Sequence, residues 1–169
     1  SSTLDFSQSK NKNTSFSDTC MQEIINTVVM VLKDEIANQK ATINYKHMPI
    51  VNADKNLISQ IMQNLISNAL KYRNELSPII DIYAVDKGAF WMFSVQDNGI
   101  GIPTKYLKKI FSEYTRINPE SQKGAGLGLH QCNKIIKEHG GRIWATSTLN
   151  KGTTIFFTLS KAQQAVTTE

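Results

Sequence analysis

Cysteine is scarce in this chain of 169 residues: Cys20 and Cys132 are the only two. They show neither CxxC spacing nor a histidine partner pattern, which argues against a zinc site and against a disulfide framework. Two idle thiols in a reducing compartment is the reading, and it predicts a cytoplasmic location. Long apolar runs are lacking, so no transmembrane helix and no membrane contact are expected. The start carries no charged-then-apolar stretch of the secretory kind. Internal repeats are lacking too. Basic residues outnumber acidic ones, for a formal charge of +5, but they are scattered and no nucleic-acid motif accompanies them. No nucleic-acid partner is therefore expected. A polyanionic ligand would benefit from the charge, which alone cannot identify one.

What is present suffices for one compact domain, since 40% of the residues are hydrophobic. Residues 1–13 are polar, with no periodic apolar face beyond Leu4 and Phe6. A short strand is predicted at 14–17, with Asp18 as N-cap of a helix over 21–36. Residues 41–45 alternate as a strand, and Pro49 with 52–54 reads as a connection. A second helix is predicted from Asp54 to Tyr72. Its apolar positions cover one broad face, while Gln60, Asn64, Asn68 and Lys71 form a polar stripe. Strands near 78–85 and 89–96 follow, joined by the turn at 86–88. A short helix to Phe111 and a polar loop over 112–125 come next. A third helix runs from about Gly126 to His139 and stops at Gly140-Gly141. Strands near 142–148 and 153–159 complete the core, and the last residues read as a tail. Hairpin strands mixed with helices favour an antiparallel-rich α/β sandwich over a doubly wound sheet.

Three segments carry chemistry. Asn64 and Asn68 are four apart on the second helix, so their amides point the same way. Amide oxygens are hard ligands suited to Mg²⁺, which also binds phosphate oxygens. Asn is a mediocre helix former, so two in register need a reason beyond propensity. Lys71 can meet phosphate charge, and Tyr72 can stack on a base or pack. The second segment, Asp97-Asn-Gly99-Ile-Gly101-Ile102, follows a strand. A carboxylate at that strand end can accept a hydrogen bond from the exocyclic amine of adenine; a plain Asx turn uses the same residues. The third, Gly124-Ala-Gly126-Leu127-Gly128-Leu129, opens a helix. Glycines there let the backbone approach phosphates, and a helix N-terminus favours anions. Lys123 and Arg116 can add positive charge, though loop cations are normally just solvated.

Two familiar nucleotide folds are excluded. The dinucleotide GxGxxG pattern fails at Leu129, and no Gly-Lys-Ser/Thr follows a glycine at P-loop spacing.

The ordered set resembles the catalytic ATP-binding domain of sensor histidine kinases, within the GHKL superfamily. Asn64–Tyr72 resembles the N box, and Asp97–Ile102 and Gly124–Leu129 the two glycine boxes. The stretch from Ile110-Phe111 to Arg116 resembles the F box, and Gly152-Thr-Thr154 the terminal glycine-threonine turn. The stretch Gly140–Trp144 resembles kinases of the phytochrome and PAS-sensor type. The resemblance implies a two-layer α/β sandwich of the Bergerat type, with a mixed, largely antiparallel sheet on three main helices. It spans roughly residues 14–160. Residues 1–13 would be the remnant of a dimerisation helix or linker, with Leu4–Ser7 similar to its end, and 161–169 a tail.

The resemblance also implies roles. Asn68 would coordinate Mg²⁺, with Asn64 as second ligand or phosphate contact. Asp97 would bind the adenine amine, helped by Thr154 through water. Tyr72 would lie along the adenine and Lys71 near the phosphates or ribose. Gly124, Gly126 and Gly128 would line the triphosphate, and 112–125 would be a lid. His130 departs from the small residue usual at its position.

One absence separates kinase from hydrolase. The ATPases of the superfamily place a Glu four residues before the position of Asn68, as general base for water. Here that residue is Asn64, and an amide cannot take a proton at neutral pH. Nor does any of the three histidines, His47, His130 and His139, sit in a phosphoacceptor context. The resemblance therefore implies a kinase catalytic domain separated from its dimerisation domain, with a response regulator downstream. The alternatives are a degenerate nucleotide-binding interaction module and an anti-sigma-type serine kinase. His139 itself reads as a helix C-terminal residue favoured by the dipole.

Overall fold

The computed structural model describes residues 14–112 and 125–162. Five strands form the main sheet, in the order β2 (Thr42–Asn44), β4 (Ile79–Asp86), β5 (Phe90–Asp97), β7 (Gly152–Ser160), β6 (Ile143–Thr148). β2 runs parallel to β4 and every other pairing is antiparallel, so the sheet is mixed and largely antiparallel, as expected. A separate two-stranded ribbon pairs β1 (Ser17–Cys20) with β3 (Ile50–Ala53). The main helices are α1 (Met21–Val31), α3 (Lys55–Lys71) and α4 (Ala125–Glu138), and a short α2 (Lys33–Asn38) follows α1.

The sheet and helices share one core. Phe93 and Phe157 stack at 5.1 Å between centroids and are fully buried. Ile80, Ile82, Val95 and Leu159 lie with them, facing Ile58, Ile61, Met62, Leu65 and Ile66 of α3. Burying such side chains contributes about 1.5–3 kcal/mol each. That outweighs the propensity cost of about 0.7 kcal/mol for each Asn carried by α3. Asp54 caps α3, its Oδ1 accepting from Asn56 N and Leu57 N at 3.0 and 3.2 Å.

Local signals misplace four features. Asp18 is not an N-cap: it lies in β1, paired with Asn52, and Cys20 takes the cap position without a side-chain hydrogen bond. The helix predicted over 21–36 is two pieces, broken at Leu32 (φ −94°, ψ 11°). The connection before α3 contains β3, too short to read without its partner β1. After Pro103 there is one 3₁₀ turn, Thr104–Tyr106, followed by turns, rather than a helix to Phe111.

Candidate functional site

Asp97 ends β5, a central strand, and points to the helix side of the sheet with Val95 and Phe93. Its Oδ1 accepts from Gly99 N at 2.9 Å and Thr153 N at 3.1 Å. Oδ2 has no donor among the described residues. Burial pushes this carboxyl above its ordinary range, against the lowering effect of those two N–H groups. A half-buried carboxylate with one oxygen fixed and the other unspent is a prepared acceptor for an N–H donor.

The first glycine segment holds that acceptor in place. A methyl group on Gly99 would overlap the Tyr72 carbonyl oxygen at the end of α3, and Ile100 N donates to that same oxygen at 3.0 Å. Gly152 has φ +131°, and a methyl there would overlap the Asp97 carbonyl oxygen. Gly101 turns the chain against the β6–β7 hairpin, where Asn150 N donates to Ile100 O at 2.7 Å. Ile102 N donates to Ser147 Oγ at 2.7 Å. Gly99, Gly101 and Ile102 thus carry protein–protein contacts that fix Asp97. Asn74 and Asn98 add to the clasp: Asn74 Nδ2 donates to Asn98 O at 2.7 Å, and Ile79 N to Asn98 Oδ1 at 2.8 Å.

α3 and α4 run antiparallel side by side. Asp54 N, before α3, donates to His139 Nε2 at 3.0 Å, just after α4. Farther along, Asn64 Nδ2 reaches Cys132 Sγ at 3.9 Å, and a methyl on Gly128 would lie 3.9 Å from Asn64 Cγ. The N-terminal end of α4, where Gly126 and Leu127 lie, is therefore directed toward the Asn68 end of α3. Leu129 is buried in the core. Burial pushes the Cys132 thiol up to about 12, the Asn64 hydrogen bond opposing this only in part, so it is an inert thiol. Both cysteines are free.

Asn68 is half-buried, and among the described residues its buried Nδ2 has no partner; the buried Tyr72 hydroxyl likewise has none there. Buried polar atoms left unpaired in the protein alone mark a place for an external partner. A half-turn of the Asn68 amide presents its oxygen at the same point. Burial raises the Tyr72 phenol above its usual value, which keeps it a neutral donor. Lys71 is exposed in the last turn of α3, with Nζ 5.7 Å from the Tyr72 ring centroid. Among the described residues no group of three or more His, Cys, Asp or Glu gathers for a metal. The donor set suits Mg²⁺ only as a partner of phosphate oxygens and amide oxygens, which is the chemistry Asn68 and Asn64 offer.

A model of the family described as "Histidine kinase-, DNA gyrase B-, and HSP90-like ATPase" matches residues 53–163, most of the chain. The chain belongs to this ATPase family. Among relatives, the phytochrome-like protein Cph1 of Synechocystis sp. is 38% identical over 142 residues, covering 83% of this chain and 19% of that protein. The chain thus spans about a fifth of that relative's length. Among solved structures, the catalytic domain of histidine kinase ThkA, nucleotide-free, is 31% identical with a TM-score of 0.76, covering 88% of this chain and 99% of that one. ThkA in complex with the response regulator protein TrrA is 25% identical with a TM-score of 0.71, covering 95% of this chain and 49% of that one. This member of the ATPase family therefore has the fold of a histidine kinase catalytic domain.

Asn64, Asn68, Lys71, Tyr72, Asp97 and Gly128 lie on the connected surfaces of α3, α4 and the end of β5. Thr154 does not join them. It pairs with Gln96 and Thr146 on the opposite face of the sheet, because side chains alternate along β7, and Thr153 is the one beside Asp97. Arg116, Lys123 and Gly124, most of the expected lid, residues 1–13 and residues 163–169 lie outside the described residues. His139 is buried just after α4: Nε2 accepts from Asp54 N, and Nδ1 donates to Ile135 O at 2.8 Å. It sits at the C-terminal end of α4, as expected, and these two hydrogen bonds hold its ring there. Ser147 and Asn74 escaped the sequence reading, and Thr153 and Asn98, though inside quoted segments, were given no role there. The turn at Asn150-Lys-Gly152 carried one signal, since a hairpin counted from it places Thr153 opposite Ser147.

Proposed function

We propose that this chain is the ATP-binding catalytic domain of a two-component histidine kinase. It holds Mg-ATP and presents the γ-phosphate to a histidine on a separate dimerisation domain. The observation that carries this reading is the pairing of an unspent Asp97 oxygen with an unpartnered Asn68 amide, on elements braced against one another. Asp97 accepts from the exocyclic amine of adenine. Tyr72 lies along the base, and Lys71 offsets charge near the phosphates or ribose. The N-terminal turn of α4, with Gly126 and Gly128, receives phosphate oxygens. Asn68, with Asn64 beside it, is the residue to hold Mg²⁺, which supplies charge neutralisation on the phosphates. Arg116, Lys123 and Gly124 belong to the same proposal.

Asn64 decides the reaction class. Its nitrogen is directed at Cys132 and neither end of an amide is a base, so no residue at this position activates water. Phosphoryl transfer then depends on positioning a better nucleophile, a neutral imidazole, in line with the γ-phosphate. A response regulator would take the phosphoryl group next; the complex of ThkA with TrrA supports that partner. The reading places the domain in the cytoplasm. Among the described residues no helix is long and apolar enough to cross a membrane.

The test is transfer in trans. Mixed with the dimerisation fragment of its kinase and radiolabelled ATP, the chain should place acid-labile phosphate on that fragment's histidine. Acid-stable phosphoserine on a partner would point instead to a serine kinase of the anti-sigma type. No transfer despite tight ATP binding would point to a nucleotide-binding interaction module.

A further inference from the structure

Ser147 was absent from the expected site, yet three hydrogen bonds converge on its hydroxyl. Ile102 N donates to Oγ at 2.7 Å, Oγ donates to Gly152 O at 2.9 Å, and Thr153 Oγ1 lies 2.8 Å away. A serine hydroxyl has one proton. A carbonyl oxygen can only accept, so that proton goes to Gly152 O. The Thr153 hydroxyl must therefore be the donor in its contact with Ser147. Its own proton is committed inward, and toward any ligand it offers lone pairs alone.

Thr153 is the immediate neighbour of Asp97. Gln96 pairs with Thr154, so the next position along sets Asp97 against Thr153 on the helix side of the sheet, and Thr153 N donates to Asp97 Oδ1 at 3.1 Å. Directly opposed side chains on one face have Cβ atoms about 4.5–5.5 Å apart. Thr153 is also buried, with 7% of its surface exposed, so its hydroxyl has no solvent to turn to.

We propose that Ser147 is a positioning residue that sets the hydrogen-bond polarity of the base pocket. By holding the Thr153 proton, it leaves an edge made only of acceptors: Asp97 Oδ2 and Thr153 Oγ1. At C6 such an edge favours a 6-aminopurine, whose exocyclic N–H groups donate to it, over a 6-oxopurine, whose O6 would face lone pairs. This rests on the reading of Asp97 as the adenine contact.

Calorimetric titration with ADP and IDP tests it, because the two bases differ only at the C6 substituent and the N1 proton. Wild type should prefer ADP. Ser147→Ala releases the Thr153 proton to rotate toward the ligand, so the ADP:IDP affinity ratio should fall by about two- to tenfold, the worth of one hydrogen bond. Ser147→Thr keeps a hydroxyl and should restore the ratio. Thr153→Val, which keeps the side-chain shape but has no hydroxyl proton to release, should not raise IDP affinity as Ser147→Ala does. Equal weakening of both nucleotides by Ser147→Ala, or an unchanged ratio, overturns the proposal. If wild type binds ADP and IDP equally well, the Asp97 reading fails, and that outcome is distinct from a wild-type preference that Ser147→Ala leaves untouched. Should Ser147→Ala not fold, the ratios for Ser147→Thr and Thr153→Val decide: the proposal requires the first to match wild type and the second to differ from it.

Discussion

At Asp97, stability and binding pull in opposite directions with pH. Burial raises its carboxyl in the folded state. A raised folded value means the folded protein binds the proton more tightly than the unfolded chain does. The resulting stability is full below the unfolded value and is lost as pH rises through the folded value. At neutral pH the ionised carboxylate therefore gives the nucleotide-free domain none of it. Asp97→Asn can keep both Oδ1 hydrogen bonds without the buried charge, so its melting temperature at pH 7 should equal or exceed that of wild type. Nucleotide affinity runs the other way. As pH falls into the raised range, the acceptor is protonated and affinity should drop, beginning above the pH at which ordinary carboxylates titrate. Titration calorimetry across pH 4–7 checks this, and an affinity flat over that range would contradict the role given to Asp97. Most of this site was legible in its residue types. The choice between Thr153 and Thr154 was not, because it depends on which face of β7 meets Asp97, and that depends on register.

At the scale of elements, the brace between α3 and α4 is the part most open to test. His139 accepts from Asp54 N, and Asp54 in turn caps α3 and accepts from Ser15 N at 2.8 Å. His139→Ala leaves that buried N–H unpaired and should cost about 1–3 kcal/mol. Asp54→Ala loses the cap and should cost about 1–2 kcal/mol. Because the two share one network, the double mutant should cost less than the sum. Urea denaturation of the three proteins measures this; strict additivity would mean the network is not shared. The long elements α3, α4, β4, β5 and β7 were readable because each carries a sustained period of buried residues. β3 was not, since Ile50–Ala53 becomes a strand only through β1. The break at Leu32 was hidden too, because the apolar spacing continues across it into Ile36.

For the whole molecule, the proposed function divides labour between this domain, which holds Mg-ATP, and a separate domain that carries the phosphoacceptor histidine. None of the three histidines stands in a phosphoacceptor context: His47 is exposed at a positive φ of 48°, and His130 is half-buried on α4. His139 has both ring nitrogens engaged. Incubated alone with Mg-ATP, the chain should accumulate no stable phosphohistidine, and hydrolysis should be slow for want of a base at Asn64. Stable autophosphorylation on histidine would contradict the division of labour proposed here. The fold class was legible from the alternation of hairpin strands with amphipathic helices, and the structure bears it out. The central claim, that Mg-ATP binds through Asp97, is tested most directly by calorimetry with a non-hydrolysable ATP analogue and Mg²⁺. Wild type should bind at one site, and Asp97→Asn should lose about 2–3 kcal/mol of binding or more, as expected for a charged hydrogen bond. Unchanged affinity in Asp97→Asn would contradict the account.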